Sequence, residues 1–244
     1  MAKVKPSYKL TKKARVEAIK NLTSTLKTLE KRYPDAHCEL DHQSPFQLLI
    51  ATILSAQCTD KRVNMVTPAL FAKYPTATKM AKAKQEDLEK LIKSTGFYRN
   101  KAKSIKGAAE KIVTEFKGKV PDKMASLLLL PGVARKTANV TLWNSFGKNE
   151  GVVVDTHVGR IAVRLGWTIE KDPGKIEKDL MNIVPRDRWG HLSHLLIFLG
   201  RDVCKAPKPI CSRCSLIKSC PWYKEVVIKE EPSVAKAPKT HSLT

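Results

Sequence analysis

Leu127-Leu128-Leu129-Leu130-Pro131-Gly132-Val133-Ala134-Arg135-Lys136-Thr137-Ala138 is the stretch on which the fold turns. The Pro-Gly pair stops one helix. From Arg135 onward, with Ala138, Val140 and Leu142 at helical spacing, a second one restarts. The segment therefore reads as two helices around a very tight turn. Such a turn presents backbone N–H groups at the start of the second helix, where the dipole also favours an anion, and the pairing suits a phosphate. Lys136 falls in the first turn of that second helix, where the dipole and Arg135 both disfavour a further positive charge. A lysine relieved of its proton is an amine nucleophile. The plainer reading stands beside it: the chain holds 45 lysines and arginines, and most of them solvate the surface.

Helical spacing continues on both sides of this stretch. Val16, Ile19, Leu22, Leu26 and Leu29 form one apolar stripe, and Phe46, Leu49, Ile50, Ile53 and Leu54 a second. Ile105, Ala108, Ala109, Ile112, Val113 and Phe116 form a third; Val158, Ile161, Ala162 and Leu165 a fourth; Leu192, Leu195, Leu196 and Leu199 a fifth. All five read as core faces of amphipathic helices. Sustained strand alternation is absent, and Val152–Val154 is too short to build a sheet. The expected class is all-α.

After the hairpin comes Val154-Asp155-Thr156-His157. Asp155 stands just before an apolar-periodic helix, the place of an N-cap whose carboxylate accepts from the first free N–H groups. A capped carboxylate is fixed and ionised, so it can also stabilise a cation developing nearby. Further on, Cys204, Cys211, Cys214 and Cys220 form a C-x6-C-x2-C-x5-C cluster with a basic bulge, Lys205 to Ile210, between the first two cysteines. Structural zinc favours two short cysteine pairs, and only Cys211/Cys214 is one. Four cysteines at uneven spacing suit a [4Fe–4S] centre better. Zinc and disulfides remain the alternatives.

The formal net charge of +22 speaks about partners rather than fold, and points to a long polyanion, foremost a nucleic acid. No apolar run reaches the roughly 18 residues of a membrane span. The N-terminal residues carry cations without an apolar stretch, unlike a secretory signal. The expectation is a reducing compartment, hence a cytoplasmic, nucleoid-associated bacterial protein in which disulfides are disfavoured. Residues 1–13 read as a basic, disordered arm, and residues 225–244, poor in apolar groups, as a disordered tail.

The hairpin stretch, Val154-Asp155-Thr156-His157 and the cysteine quartet occur in that order. Upstream lies Ser44-Pro-Phe-Gln-Leu-Leu-Ile-Ala-Thr-Ile-Leu-Ser-Ala-Gln57-Cys-Thr-Asp60. Together they resemble the endonuclease III family of helix-hairpin-helix DNA glycosylases, from about Ser44 to Tyr223. The resemblance implies two helical lobes around a DNA-binding cleft. Residues 38–149 would form a six-helix barrel lobe carrying the hairpin. Residues 14–37 and 150–224 would form a lobe holding a [4Fe–4S] cluster on Cys204, Cys211, Cys214 and Cys220.

It further implies a monomeric bifunctional glycosylase and abasic-site lyase acting on double-stranded DNA with an oxidised pyrimidine or an abasic site. Lys136 would be the nucleophile and Asp155 its partner. Gly132, Val133, Ala134 and Arg135 would hold a phosphate, Gln57 would fill the hole left by an extruded base, and Phe97 would be an apolar wedge. Lys205 and Lys208 would contact the backbone. One departure stands out: the family hairpin usually has glycine where this chain has Ala134, and a positive φ there would cost alanine roughly 1–2 kcal/mol. A monofunctional, adenine-removing branch of the superfamily lacks the hairpin lysine. A non-catalytic DNA-binding module fits the charge and the cysteines, and is opposed by Lys136 together with Asp155.

Overall fold

The computed structural model describes residues 11–228, and among these residues every regular element is helical. Residues 1–10 of the expected arm and 229–244 of the expected tail lie outside them. The chain divides into two compact units, one spanning residues 38–151 and the other joining the segment before it to the segment after it.

The first two helices belong to the second of these units. Helix α1 (Lys12–Lys20) is capped by the Thr11 hydroxyl, which accepts from Ala14 N. Lys12 and Lys13 are therefore helical, not part of an arm. Helix α2 (Leu22–Arg32) follows after a break at Asn21. That break turns α1, so Ala18 is buried in place of Val16, which is 54% exposed. The expected single stripe is thus two, and Val16 is not core.

The unit of residues 38–151 holds seven α-helices and one 3-10 turn, Lys93–Thr95. Helix α3 (Pro45–Leu54) begins with a Ser44 cap and a proline in its first turn, an arrangement in which the missing proline N–H costs nothing. Its residues from Phe46 to Leu54, Gln47 aside, are buried, so it forms the axis of this unit's core. Around it come α4 (Asp60–Lys73), α5 (Ala77–Ala81), α6 (Gln85–Ile92) and α7 (Tyr98–Glu115). The short α8 (Met124–Leu127) and α9 (Arg135–Phe146) form the hairpin. The core of this unit takes Leu48, Leu49, Ile50 and Leu54 from α3, Ile105, Ala108 and Ile112 from α7, and Ala138 and Leu142 from α9.

The other unit continues with α10 (Thr156–Arg164), α11 (Pro173–Ile183) and α12 (Trp189–Asp202). Leu22, Leu26 and Leu29 of α2 meet Val158, Ile161 and Ala162 of α10 and Leu192, Leu195, Leu196 and Leu199 of α12 in its core, with Trp167 fully buried. Val152–Val154 forms no strand. The 3-10 turn Cys211–Arg213 and a π-helical turn, Tyr223–Val227, close the described chain. Residues 225–227 are thus helical rather than part of a tail. None of the described helices is long and apolar enough to cross a membrane.

Candidate active site and metal centre

The connection between the hairpin helices is longer than the four-leucine run suggests. Helix α8 ends at Leu127, and Leu128–Leu130 already belong to the turn, with Leu129 N donating to Ser126 O and Leu130 N to Leu127 O. Leu127 and Leu130 are buried, whereas Leu128 and Leu129 are 45% and 56% exposed. Val133 N then donates to Leu130 O at 3.1 Å across Pro131 and Gly132. Gly132 sits at φ +77°, the position where a proline-led turn needs a glycine. Space alone would also demand glycine: a Cβ there would lie 2.7 Å from Ser104 Cβ on α7 and 3.3 Å from Ile53 Cγ2 on α3.

Ala134, by contrast, is extended at φ −95° and serves as the N-cap of α9. The strain expected from alanine in place of glycine is absent, because the left-handed position is two residues earlier. Alanine has no side-chain acceptor, so α9 starts without a side-chain cap. By helix geometry its first N–H groups lack intrahelical partners. Val133 differs from its neighbours here, since its N–H is already spent inside the turn. Arg135 aims its guanidinium at Glu150 O, 3.1 Å away. Lys136 is exposed in the first turn of α9.

Gln57 and Phe97 share an uncommon backbone. Among the described non-glycine residues, left-handed φ values occur at Gln57 (53°), Phe97 (48°) and Lys117 (54°). For an L-residue this costs of order 1–2 kcal/mol, and such strain gathers at functional sites. Gln57 is exposed three residues beyond α3. Phe97 is the N-cap of α7 and is 66% exposed, an unusual position for a phenylalanine. The hairpin's Gly132 rests on Ile53 of α3 and Ser104 of α7, the two helices that lead to Gln57 and away from Phe97. The fold of this unit therefore sets the hairpin turn against the two helices that flank Gln57 and Phe97.

In the other unit, Asp155 is the N-cap of α10, its Oδ1 accepting from Val158 N at 2.8 Å. Two arginines on this helix were not anticipated. Arg160 donates from Nη2 to Cys204 O at 3.0 Å and faces His157 Nδ1 at 3.1 Å, and His157 packs so closely on Gly200 that a Cβ there would lie 2.4 Å from its Nδ1. Arg164, buried, donates from Nη1 to Cys204 Sγ (3.2 Å) and Lys205 O (3.0 Å), and its guanidinium lies 4.5 Å from the Trp222 ring centroid. Two arginines four residues apart on an amphipathic helix are visible in the sequence, but the burial of Arg164 is not. Its partners, forty residues away, were not readable.

The four cysteines carry no disulfide. Cys204, Cys214 and Cys220 pack against this unit's core. Burial, then the neighbouring Cys214 and Cys204, pushes the Cys211 thiol up to about 11. Burial, opposed by backbone N–H groups and reinforced by Cys204 and Cys214, pushes Cys220 up to about 12. The thiols are thus close enough to repel one another as thiolates. No three His, Cys, Asp or Glu side chains among the described residues are grouped as a single metal ion would need. The donor set still fits a cationic sulfur-ligated centre: four unoxidised, half-buried thiols with an arginine on one sulfur stay ionised together only around added positive charge. Lys205 and Lys208 are exposed on the loop that Arg164 holds.

Comparison with known proteins agrees with this arrangement. A family model described as HhH-GPD superfamily base excision DNA repair protein matches residues 50–186. Endonuclease III of Synechocystis sp. is 57% identical over 199 residues, covering 82% of this chain and 91% of that protein. Endonuclease III of Escherichia coli is 38% identical, covering 83% and 96%. Among solved structures, a non-covalent endonuclease III–DNA complex matches with a TM-score of 0.79 at 43% identity, covering 84% of this chain and 96% of that one. A trapped endonuclease III–DNA covalent intermediate matches equally well, with a TM-score of 0.79. The hairpin, the capped aspartate and the cysteine loop thus sit within a chain that belongs to the endonuclease III family of the HhH-GPD superfamily of base excision DNA repair proteins.

Proposed function

We propose that this member of the family, a DNA glycosylase and abasic-site lyase, excises oxidised pyrimidines from duplex DNA as a monomer, by way of a Schiff base on Lys136. The observation that carries the reading is the start of α9. There an exposed lysine stands in the first turn of a helix whose N-cap, Ala134, supplies no side-chain acceptor. One helix start thereby offers backbone N–H groups to a phosphate and an amine to the neighbouring sugar.

A damaged base stacks weakly, so extruding it costs a few kcal/mol less than extruding a sound one. Lys136 Nζ, as the free amine, attacks C1′, and the electron pair of the glycosidic bond leaves with the base. The Asp155 carboxylate, held by Val158 N, offsets the positive charge that grows on the sugar. Ring opening gives an iminium between Nζ and C1′. The iminium acidifies C2′, a proton leaves that carbon, and the 3′ phosphate departs by β-elimination.

Gln57 fills the vacated stack and Phe97 wedges it open. Gly132, Ala134 and the first amides of α9, with Arg135 beside them, hold a phosphate. Val133 contributes to the turn rather than to the phosphate, its N–H being engaged by Leu130. Cys204, Cys211, Cys214 and Cys220 hold a [4Fe–4S] cluster. When bound, it cross-links the end of α12 to the chain beyond and so shapes the loop bearing Lys205 and Lys208.

The test is borohydride trapping on a thymine-glycol duplex. The wild-type chain should form a covalent adduct and the Lys136→Ala variant none. Undiminished strand opening by that variant would overturn the assignment.

A further inference from the structure

Lys101 is one of the few buried cations among the described residues, 6% exposed on the inner side of α7. Its ammonium donates to a carbonyl, Thr95 O, at 2.7 Å. Its own backbone N–H donates to Phe97 O at 3.0 Å. Thr95, itself 2% exposed, is tied back to Ile92 O through its hydroxyl at 2.9 Å. Between Thr95 and α7 the chain reverses through Gly96 (φ +71°) and Phe97 (φ +48°), two successive left-handed residues. Nothing packs where a Cβ of Gly96 would be, so that residue is not held by packing on that side. Burial holds the Lys101 ammonium below the usual lysine range.

Burying an ammonium is costly, and a methionine of similar length would fill the space without that cost. What lysine alone supplies is a donor that reaches the Thr95 carbonyl. We propose that Lys101 is a positioning residue: it clamps the turn before α7 from beneath and so keeps the Phe97 ring fixed and exposed for insertion into DNA. The proposal rests on the reading of Phe97 as the wedge. The left-handed Phe97 backbone needs an outside constraint, because a free Gly-Phe turn would relax to commoner conformations. A wedge fixed before binding spares the ordering cost during association, so the benefit falls on affinity for distorted duplex rather than on the bond-breaking step.

The experiment uses the full chain and a duplex bearing a tetrahydrofuran abasic analogue, with Lys101→Met, Phe97→Ala and the double variant. Lys101→Met should raise Kd about tenfold, the scale of one lost buried hydrogen bond. Base release from a thymine-glycol duplex at saturating enzyme should change less than about threefold. Phe97→Ala should weaken Kd similarly, and the double variant should be no weaker than Phe97→Ala alone. Lys101→Arg, which keeps a charged donor, should recover most of the affinity. In the free protein, amide exchange at Gly96 and Phe97 should quicken in Lys101→Met while the α9 amides stay unchanged.

The two failures are distinguishable. An unchanged Kd for Phe97→Ala overturns the wedge reading. A weakened Phe97→Ala beside an unchanged Lys101→Met, or additive losses in the double variant, overturns the role of Lys101. If Lys101→Met does not fold, Lys101→Leu, which also lacks a donor, and Lys101→Arg carry the same comparison, and wild-type affinity in both would refute the clamp.

Discussion

At the residue scale, Ala134 and Asp155 are both N-caps, and they cap in opposite ways. Asp155 spends its carboxylate on Val158 N, while Ala134 has nothing to spend. An open helix start is a loss to stability and a gain to anion binding. Ala134→Ser should therefore stabilise the protein by about 0.5–2 kcal/mol, as caps commonly do. It should also weaken binding to any duplex, lesion or not, because the hydroxyl takes an amide meant for phosphate. Denaturation midpoints and fluorescence anisotropy measure the two effects, and a serine variant improved in both would show that the open start holds no phosphate. Asp155→Asn separates cap from charge. Asparagine caps as well as aspartate, so stability should move by less than about 0.5 kcal/mol. Single-turnover base release should nonetheless fall by a factor on the order of 100 or more, the usual size of a lost transition-state charge contact. The cap role of Asp155 was legible from an aspartate standing before an apolar period. The backbone of Ala134 was not, because resemblance to a glycine position carries no φ. The structure puts the left-handed residue at Gly132, directly after a proline, where turn chemistry alone would have placed it.

At the scale of elements, the cysteine segment is held from below by α10. Burial and mutual repulsion lift Cys211 to about 11 and Cys220 to about 12, well above the roughly 8.5 of a thiol in an unfolded chain. Between those values the unfolded chain releases protons that the folded chain keeps. A metal-free protein therefore loses stability as pH climbs from about 8.5 towards 12. Metal-bound thiolates carry no proton to lose, so the loaded protein should hold a nearly level melting temperature across pH 8 to 10 while the stripped protein declines. Parallel thermal scans with and without the metal test this, and identical slopes would mean the thiols hold no centre. The helices themselves were largely readable. The stripes of α3, α10 and α12 are buried as their periodicity demands, and so is that of α7 from Ile105 to Ile112, with Val113 and Phe116 half-buried against the same core, because the period of an amphipathic helix is a local property. What stayed hidden was mostly long-range. Nothing near Arg164 in sequence announces its partners at Cys204 and Lys205; Lys101 stands only four residues from Phe97, yet its burial and its reach back to Thr95 do not show in the spacing. The break at Asn21 was also missed, since one continuous stripe can be drawn through two helices that do not share a face.

At the scale of the whole molecule, the charge decides how the protein meets DNA. An excess of 22 positive charges draws in a polyanion from any direction and cannot by itself distinguish a lesion from sound duplex. Affinity should then divide into two parts with different responses to salt. The larger part is counterion release, which lowers log K by about 0.9 per neutralised phosphate for each tenfold rise in salt. The smaller part comes from wedge, stack-filling and pocket contacts, which are short-ranged and nearly indifferent to salt. On the proposed reading, Lys205 and Lys208 belong to the first part. Both are exposed, and the loop carrying them is pinned at its carbonyls by Arg160 and Arg164, so their charges are presented without a large ordering cost. Replacing both by alanine should reduce the salt slope by about two and weaken lesion and undamaged duplexes by the same factor. Phe97→Ala should do the reverse, keeping the slope and eroding only the preference for damaged DNA. Salt titrations on matched duplexes resolve the two behaviours. If the double lysine variant kept its full slope, the loop would not be touching phosphate, and the purpose of clamping it so firmly to α10 would have to be sought in the metal centre alone.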